Sequence, residues 1–237
     1  MLLASTTLAQ EPEKESGISF TGGADFVSSY VWRGVVLNSS PDVQPYLNFN
    51  AGNFSAGFWT SQSFDGKFKE FDLSASYTIG QFKVLVTDYF SNTNSVEEPV
   101  EWLQWDNDST SHALEASLNW NSDFGLDASF NILFYGADKK YDDNGESENA
   151  YSTYFEAGYT KTVNEIDIRP YVGLTFSKTA WYGDCSATHG FNLVNLGVKA
   201  SYELPLKEKI SMPISVNFGY NPQSDDVAAF VGVGVAF

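Results

Sequence analysis

The chain has 237 residues, a formal net charge of -17 at pH 7, 43% hydrophobic residues and only 18% charged residues. This length accommodates one large all-β domain or two ordinary domains, and the 19 glycines, 19 phenylalanines and 13 tyrosines are typical of strands. An acidic chain with few basic clusters excludes nucleic acid as a partner. No segment is long and apolar enough for a membrane-spanning helix, so a closed β-barrel is the structure by which this chain could cross a membrane.

The first residues resemble the end of a secretory signal. The segment "MLLASTTLAQ" has a short apolar run followed by small residues, and a charged stretch begins at Glu11. The pattern predicts the remnant of a signal peptide over residues 1–10, without its basic leader, and a short acidic segment over residues 11–17. A disordered N-terminus is the alternative interpretation. The remaining residues, 18–237, form the predicted barrel domain.

Period-two alternation of apolar and polar residues recurs along the chain, whereas helical periodicity does not. In "EFDLSASYTI" the alternation is nearly strict, with Phe71, Leu73 and Tyr77 on one face and Glu70 and Asp72 on the other. The predicted strands cover residues 20–30, 43–51, 53–61, 69–79, 81–89, 112–120, 126–135, 151–160, 165–176, 191–202, 211–220 and 227–237. The sequence therefore predicts an all-β fold of about twelve strands.

The connections between these runs alternate in length. Tight turns at residues 51–53, 79–81, 121–125 and 161–164 alternate with long polar segments that begin at Ser91, Ala137 and Ser177. This pattern is typical of a transmembrane antiparallel up-and-down β-barrel in the bacterial outer membrane, with both termini in the periplasm. The segment "ELPLKEKI", which predicts a turn of eight residues, fits the pattern less well.

Alternation alone leaves open which face of the barrel contacts water. A soluble barrel of this size needs a very large core, whereas the polar faces here carry Ser, Thr, Asn, Gln, Tyr and Gly, as a hydrated lumen does. Aromatic residues gather at the ends of the runs, among them Phe20, Tyr30, Trp120 and Phe237, as in the two interfacial girdles of a membrane barrel. We therefore expect the apolar faces to contact outer-membrane lipid.

The chain ends on an alternating apolar strand, "FVGVGVAF", whose last residue is Phe237. Terminal residues tend to fray in water, so this strand needs a neighbour or a membrane to cover it. The ending resembles the C-terminal signal by which outer-membrane proteins are presented to their assembly machinery. The resemblance implies that Phe237 is an assembly signal and that this machinery is a partner.

A second resemblance lies near the other end, in "FVSSYVWRGVVLNSSPDVQPYLNFNAGNFSAGFWTSQSFDGKFKEFDLSASYTIG". Tyr30, Trp32, Arg33 and Gly34, followed by "PDVQPYLNF", "GFWTS" and an acidic-aromatic strand, stand in the order found in the TorF-type porin family, also called the Gcw_chp family. The likeness covers about the first 80 residues. It implies an outer-membrane barrel with a porin function and supplies no catalytic residues.

Arg33 is predicted where the first strand meets its loop, beside Gly34, which permits a tight exit conformation. One interpretation is a cation at the rim or in the lumen that binds anionic groups or organises the carboxylates of the loops. The other is an arginine that donates hydrogen bonds to an acid of the barrel wall and so locks the loop.

The residues indicate no enzyme, no cofactor and no metal site. His112 and His189 are the only histidines, neither stands in a Ser-His constellation, and we expect neutral surface or loop histidines. The sequence has no phosphate-binding glycine loop and no HExxH, and its acidic loops lack the regular ligand positions of a twelve-residue calcium loop. The single cysteine, Cys185, excludes a disulfide framework and is predicted to be a loop thiol.

The predicted work of such a barrel is passive passage of small solutes, with cations preferred. Alternation places seven acids and three bases on the inward face, which leaves four uncompensated negative charges. These lumen-lining residues are Asp25, Glu70, Asp72, Glu115, Asp127, Glu156 and Asp167, with Lys83, Arg169 and Lys199. The alternative is a barrel plugged by its own side chains that serves as a structural or accessory subunit of an envelope complex, with its loops contacting other envelope proteins.

Overall fold

The computed structural model describes residues 17–92, 101–141, 144–145, 147–182 and 190–237. The described residues form strands and turns. Among them there is no helix long and apolar enough to cross a membrane. The predicted signal-peptide remnant over residues 1–10, almost all of the acidic segment 11–17, Cys185 and His189 lie outside the described residues.

Twelve long strands form one closed antiparallel barrel, as the sequence predicts. They are β1 (Ile18–Val27), β4 (Asp42–Ala51), β5 (Phe54–Ser63), β6 (Lys69–Ile79), β7 (Phe82–Asn92), β8 (His112–Asn121), β9 (Leu126–Gly136), β12 (Thr153–Tyr159), β14 (Ile166–Thr175), β15 (Asn192–Lys207), β16 (Ile210–Asn221) and β17 (Asp226–Ala236). Five short strands accompany them: β2 (Tyr30–Trp32), β3 (Val35–Asn38), β10 (Lys139–Tyr141), β11 (Ser147–Asn149) and β13 (Lys161–Val163).

The barrel is an up-and-down meander in which each long strand pairs with its neighbours along the chain. The first and last strands, β1 and β17, pair with each other and close it. Past the end of β17, the backbone N–H of Phe237 donates to the oxygen of Gly22 at 2.9 Å, and the N–H of Gly22 donates back at 3.0 Å. The short strand β13 pairs with β14 beyond the end of β12.

The apolar face of the barrel points outward. On β17, Val231, Val233 and Val235 are exposed, whereas the alternating Ala228 and Phe230 are buried in the interior. The same holds on the other strands, whose exposed side chains are mostly Phe, Leu, Ile, Val and Tyr. A soluble barrel has the opposite arrangement, so this is a barrel of the membrane type, in which lipid covers the outer face.

The eight-residue turn predicted from "ELPLKEKI" is wrong. Strand β15 runs through this segment to Lys207, and only residues 208–209 form the turn before β16. The ladder continues because Leu204 pairs with Met212, and a register shift between Pro205 and Lys207 accommodates the proline, which has no N–H to donate.

The connection between β1 and β4 holds a hairpin that the strand prediction missed. The first strand ends at Val27 rather than at Tyr30. Strands β2 and β3 then pair through a two-residue turn, Arg33 at φ 49° and Gly34 at φ 84°. Two consecutive residues with positive φ make the type I′ turn that suits a tight hairpin. We call residues 30–38 the plug hairpin, since it folds into the barrel.

Candidate functional site: a lumen crossed by a hairpin

The plug hairpin lies across the lumen at the end of the barrel that carries the long loops. On one side, the ring of Tyr30 packs against Trp59 of β5 with 5.3 Å between ring centroids, and Trp32 packs against Tyr89 of β7 at 5.9 Å. On the other side, a Cβ built on Gly34 would lie only 2.5 Å from the backbone oxygen of Val194 on β15. Because the hairpin contacts opposite walls, it spans the bore.

An aromatic cluster fills the lumen around the hairpin. It replaces a water-filled bore at this level with a small hydrophobic core, as side chains do in narrow barrels. Tyr30 belongs to this cluster, so its prediction as a residue of the interfacial girdle is wrong. The buried members are Tyr30, Trp32, Phe68, Tyr89, Ala113, Leu133, Tyr154, Tyr182 and Val194.

Arg33, at the tip of the hairpin, is held by a two-pronged ion pair. Its Nη1 donates to Oε2 of Glu115 at 2.6 Å, and its Nη2 donates to Oε1 at 2.9 Å. Nη1 also donates to the hydroxyl of Tyr182 at 3.0 Å, and the guanidinium lies 4.6 Å from the ring centres of both Trp32 and Tyr154. Paired planar groups of this kind fix orientation as well as charge.

Glu115 receives further hydrogen bonds from the wall. The hydroxyls of Tyr89 and Ser117 donate to its Oε1 at 3.0 and 3.2 Å, and only 1% of its side chain is exposed. Of the rim and lumen positions that the sequence left open for Arg33, the structure has the lumen, because the hairpin carries Arg33 inward. The contact itself is the one that the second interpretation describes, an arginine bonded to a wall acid.

The chain leaving the hairpin is anchored at the rim. The amide of Asn38 donates to the carboxylate of Asp42 at the start of β4. The hydroxyl of Ser40 donates to Asp65, in the turn between β5 and β6, at 2.9 Å. Asp65 also accepts the backbone N–H of Lys67 and the hydroxyl of Ser63, and these hydrogen bonds, that of Lys67 first, lower the pKa of Asp65 to about 2.

Below the hairpin, a polar cavity of about 500 Å³ extends to the end of the barrel that carries the tight turns. We call it the vestibule. Arg33 and Gly34 line its inner end, and Gly125 and Thr162 line it at the turns. Seven of the ten predicted lumen residues contribute to its wall. They are Lys83, Glu115, Asp127, Glu156, Asp167, Arg169 and Lys199.

Arg169 forms a second ion-pair group in the vestibule. Its Nε donates to Asp127 at 3.0 Å, its Nη2 contacts the other oxygen of Asp127, and Nη2 also lies 3.0 Å from Glu156. Glu156 in turn accepts the hydroxyl of Tyr154 at 2.6 Å, and Tyr154 faces Arg33. The two arginines are thus joined through Tyr154, one at the hairpin tip and one at mid-wall.

The vestibule is close to charge balance. Five carboxylates line it, Glu115, Asp127, Glu156, Glu165 and Asp167, against four cations, Arg33, Lys83, Arg169 and Lys199. The prediction from alternation was an excess of four negative charges over the whole lumen. The difference arises because Asp25, Glu70 and Asp72 do not line the vestibule and the hairpin adds Arg33, whereas Glu165 adds one acid that was not predicted. Glu70 and Asp72 are instead buried beside the hairpin, where Glu70 faces the hydroxyl of Tyr30.

His112 lies on the outer wall of the barrel and is fully buried, so the expectation of a surface or loop histidine is wrong. Its Nδ1 lies 2.9 Å from the carboxylate of Asp88, and its Nε2 lies 2.8 Å from the backbone oxygen of Trp102. Trp105 stacks on the imidazole with 3.8 Å between ring centroids. Both ring nitrogens are occupied, so His112 has no free nitrogen to act as a general base.

Comparisons with known proteins show the fold and no family. No family model matches the chain, and no curated protein matches it. The NanC porin structure aligns with a TM-score of 0.52 at 11% identity, over 92% of this chain and 99% of that chain. The KdgM porin aligns with a TM-score of 0.49 at 11% identity, over 92% of this chain and 98% of that chain.

The outer membrane phospholipase A from Escherichia coli aligns with a TM-score of 0.42 at 11% identity, over 96% of this chain and 94% of that chain. Only the NanC alignment exceeds a TM-score of 0.5 among these three, and at 11% identity it shows similarity of fold alone. The chain is similar to NanC as a β-barrel.

Proposed function

We propose that this protein is a porin of the bacterial outer membrane, through which small solutes pass passively when the plug hairpin is displaced. The observation that carries the proposal is a membrane-type barrel whose polar vestibule reaches from the tight turns to the hairpin tip. The fold similarity to the NanC porin and the sequence resemblance to the Gcw_chp family support it. In this proposal the tight turns and both termini face the periplasm, after export directed by the segment 1–10.

The proposed solutes are small and polar, and the expected ion preference is for cations. A vestibule of about 500 Å³ accommodates a small molecule rather than a polymer coil. The inward acids outnumber the inward bases, and a narrow aqueous path through a low-dielectric wall concentrates their field. The proposal assigns no catalytic step to the chain, in keeping with the occupied nitrogens of His112.

The rival proposal, a permanently plugged barrel that serves as an accessory subunit of an envelope complex, is also supported by a specific observation. The hairpin is fixed by an aromatic cluster and by the Arg33–Glu115 ion pair, as a structural plug would be. The two proposals differ in one property, namely whether the lumen conducts once the hairpin is gone.

The register of the barrel suggests a clean variant for this test. Val27 of β1 pairs directly with Asp42 of β4, so a short glycine-containing turn can replace residues 28–41 without altering either strand. The matched control shortens the other hairpin, β10–β11, whose strand residues are mostly exposed. Both variants are reconstituted in planar bilayers beside the wild-type protein.

We expect steady conductance from the variant without the plug hairpin, and rare openings from the wild type and from the β10–β11 control. Heat-modifiable migration in gels checks that each variant is a folded barrel. A folded variant that conducts no better than the wild type would favour the accessory-subunit proposal over the porin.

A further inference from the structure

Two adjacent carboxylates are buried beside the plug hairpin without a cationic partner among the described residues. Glu70 and Asp72 lie two positions apart on β6, so both point inward, and they are 6% and 3% exposed. None of the ion pairs of the described residues involves either. An ionised carboxylate is costly to bury unless a charge or hydrogen bonds compensate it.

Hydrogen bonds of ordinary geometry within the described part of the chain do not provide this compensation. Neither oxygen of Asp72 has a hydrogen-bond partner of ordinary geometry among the described residues. Glu70 accepts one long hydrogen bond, from the hydroxyl of Tyr30 at 3.5 Å. The nearby Asp42 differs from both, since Asn38 and Ser61 donate to its two oxygens. Of these three carboxylates, it is therefore Glu70 and Asp72 that lack compensating hydrogen bonds.

The neighbouring strands present further oxygens that have no hydrogen-bond partner in the described ranges of the chain. Thr87 of β7 is buried with its Oγ1 unpartnered, and it pairs with Ser74, two positions from Asp72 on the same inward face. Gln44 of β4 is buried with its Oε1 unpartnered, while its Nε2 donates to Ser61, the residue that pairs with Glu70. Every buried side-chain atom without a partner among the described residues is an oxygen.

A group of buried oxygens that includes two carboxylates is what a hard cation binds in proteins. We propose that Glu70 and Asp72 bind a divalent cation, Ca²⁺, between β6 and the plug hairpin, with the hydroxyl of Thr87 as a further oxygen ligand. The two carboxylates match its charge. Ca²⁺ fits an irregular set of oxygens on a strand wall better than Mg²⁺, which demands near-ideal octahedral geometry.

The position of this site links the cation to the hairpin. Glu70 contacts Tyr30, which is part of the aromatic cluster, and Trp59 pairs with Asp72 across β5 and β6. A cation here neutralises two charges that otherwise disfavour the burial of the hairpin, so its binding stabilises the docked state. The cation site does not rest on the proposed porin function, and it is tested by binding rather than by conductance.

Terbium luminescence tests the site directly. Tb³⁺ occupies oxygen sites that bind Ca²⁺, and excitation of the indole of Trp59 opposite Asp72 sensitises its emission. The experiment uses the purified full chain, folded in detergent, with D72N and E70Q as site variants. D167N is the matched control, because it removes the same charge from the inward face of the vestibule.

We expect a saturable emission in the wild type that Ca²⁺ displaces, and about tenfold or more weaker binding of Tb³⁺ in D72N and in E70Q. D167N should retain the wild-type affinity. Wild-type affinity in folded D72N and E70Q would overturn the proposal, since the emission would then come from exposed loop acids. Folding is checked for each variant by heat-modifiable migration.

Two measurements on the wild type keep the proposal testable if the site variants fail to fold. Removal of Ca²⁺ with a chelator should lower the temperature of the heat-modifiability transition, and added Ca²⁺ should restore it. No shift would overturn the proposal. Two carboxylates can also satisfy each other by sharing a proton, so an infrared band of a protonated carboxyl group that persists at saturating Ca²⁺ would likewise overturn it.

Discussion

The Arg33–Glu115 ion pair gives the sharpest prediction, because it joins the hairpin tip to the barrel wall. In R33M the side chain keeps an apolar stem of similar length but loses both prongs of the pair. Glu115 is then left 1% exposed, with only hydroxyl donors from Tyr89 and Ser117. Removal of one partner of a buried pair costs about 3–5 kcal/mol, since the remaining charge is uncompensated.

This energy acts on the docking of the hairpin. A tenfold change in an equilibrium constant corresponds to about 1.4 kcal/mol, so R33M should shift the equilibrium from docked to displaced hairpin by roughly a hundredfold to a few thousandfold. E115Q leaves the guanidinium without a carboxylate partner and should shift this equilibrium in the same direction. The double variant R33M/E115Q removes both charges of this pair, so its effect should be smaller than the sum of the two single effects.

The assay is the fraction of time open in planar bilayers at fixed voltage, compared for the wild type, both single variants and the double variant. E165Q serves as the control, because Glu165 also lines the vestibule but lies near the tight turns, away from the hairpin. Equal open fractions in the wild type, R33M and E115Q, with all proteins folded, would refute the reasoning that this ion pair holds the hairpin in the lumen.

Three further changes test single features. G34A should destabilise hairpin docking by about 1–3 kcal/mol, because Gly34 has φ 84° and an added Cβ meets a backbone oxygen of β15. The control G52A should leave docking unchanged, since Gly52 has φ 59° but open space around it. Deletion of Phe237 should reduce the amount of heat-modifiable, membrane-inserted protein but not its synthesis or export. The variant F237A keeps the backbone hydrogen bonds to β1, so it separates the loss of the ring from the loss of the bonds that help close the barrel. D65N should lower stability above about pH 4, and the difference from the wild type should vanish as the pH falls toward 2, because the folded-state pKa of Asp65 is about 2 and its unfolded value is about 3.9.

The strands of the barrel could be predicted because lipid and water impose alternation on every one of them. Strand β6 covers Lys69–Ile79, the same residues as the predicted run, and the other predicted runs coincide with long strands apart from a few residues at their ends. The segment around Pro205, predicted as a turn but found in strand β15, is the exception, and it has a physical reason. A proline and a charged run predict a turn locally, but pairing of β15 with β16 outweighs this preference.

The plug hairpin could not be placed from the sequence in the same way. The local pattern "YVWRGVVLN", with two apolar segments around a residue pair that ends in glycine, is a short-range hairpin signal. Its docking in the lumen depends on Trp59, Tyr89 and Tyr182, which are distant in sequence and have no local signature. For the same reason, alternation places Glu115 on the inward face but does not identify Arg33 as its partner.

His112 shows the same limit on the outer wall. Because side chains alternate between the two faces of β8, His112 lies on the face that otherwise contacts lipid, where a histidine is unfavourable. Only the structure shows that Asp88 of β7 and the rings of Trp102 and Trp105 cover it. Trp102 and Trp105, which precede β8, thus contribute to the outer wall.

The position of Arg33 in the hairpin also connects displacement of the hairpin with ion preference. When the hairpin is docked, Arg33 lies in the lumen and brings the vestibule close to charge balance. When the hairpin is displaced, Arg33 leaves the lumen, and the seven acids that alternation predicts on the inward face stand against three predicted bases. The open path should therefore be more negative than the closed vestibule and should select cations.

The variant with residues 28–41 replaced isolates this open state. Its reversal potential in a gradient of calcium-free potassium chloride should indicate cation selectivity, and adding E70Q and D72N to it should reduce that selectivity, because these two acids become accessible when the hairpin is absent. Adding D123N, which removes an exposed acid of a tight turn, should not, since mobile ions screen exposed charges over about 8 Å at physiological salt. Anion selectivity of the open variant would mean that the bases Lys83, Arg169 and Lys199, rather than the acids, govern the narrowest part of the path.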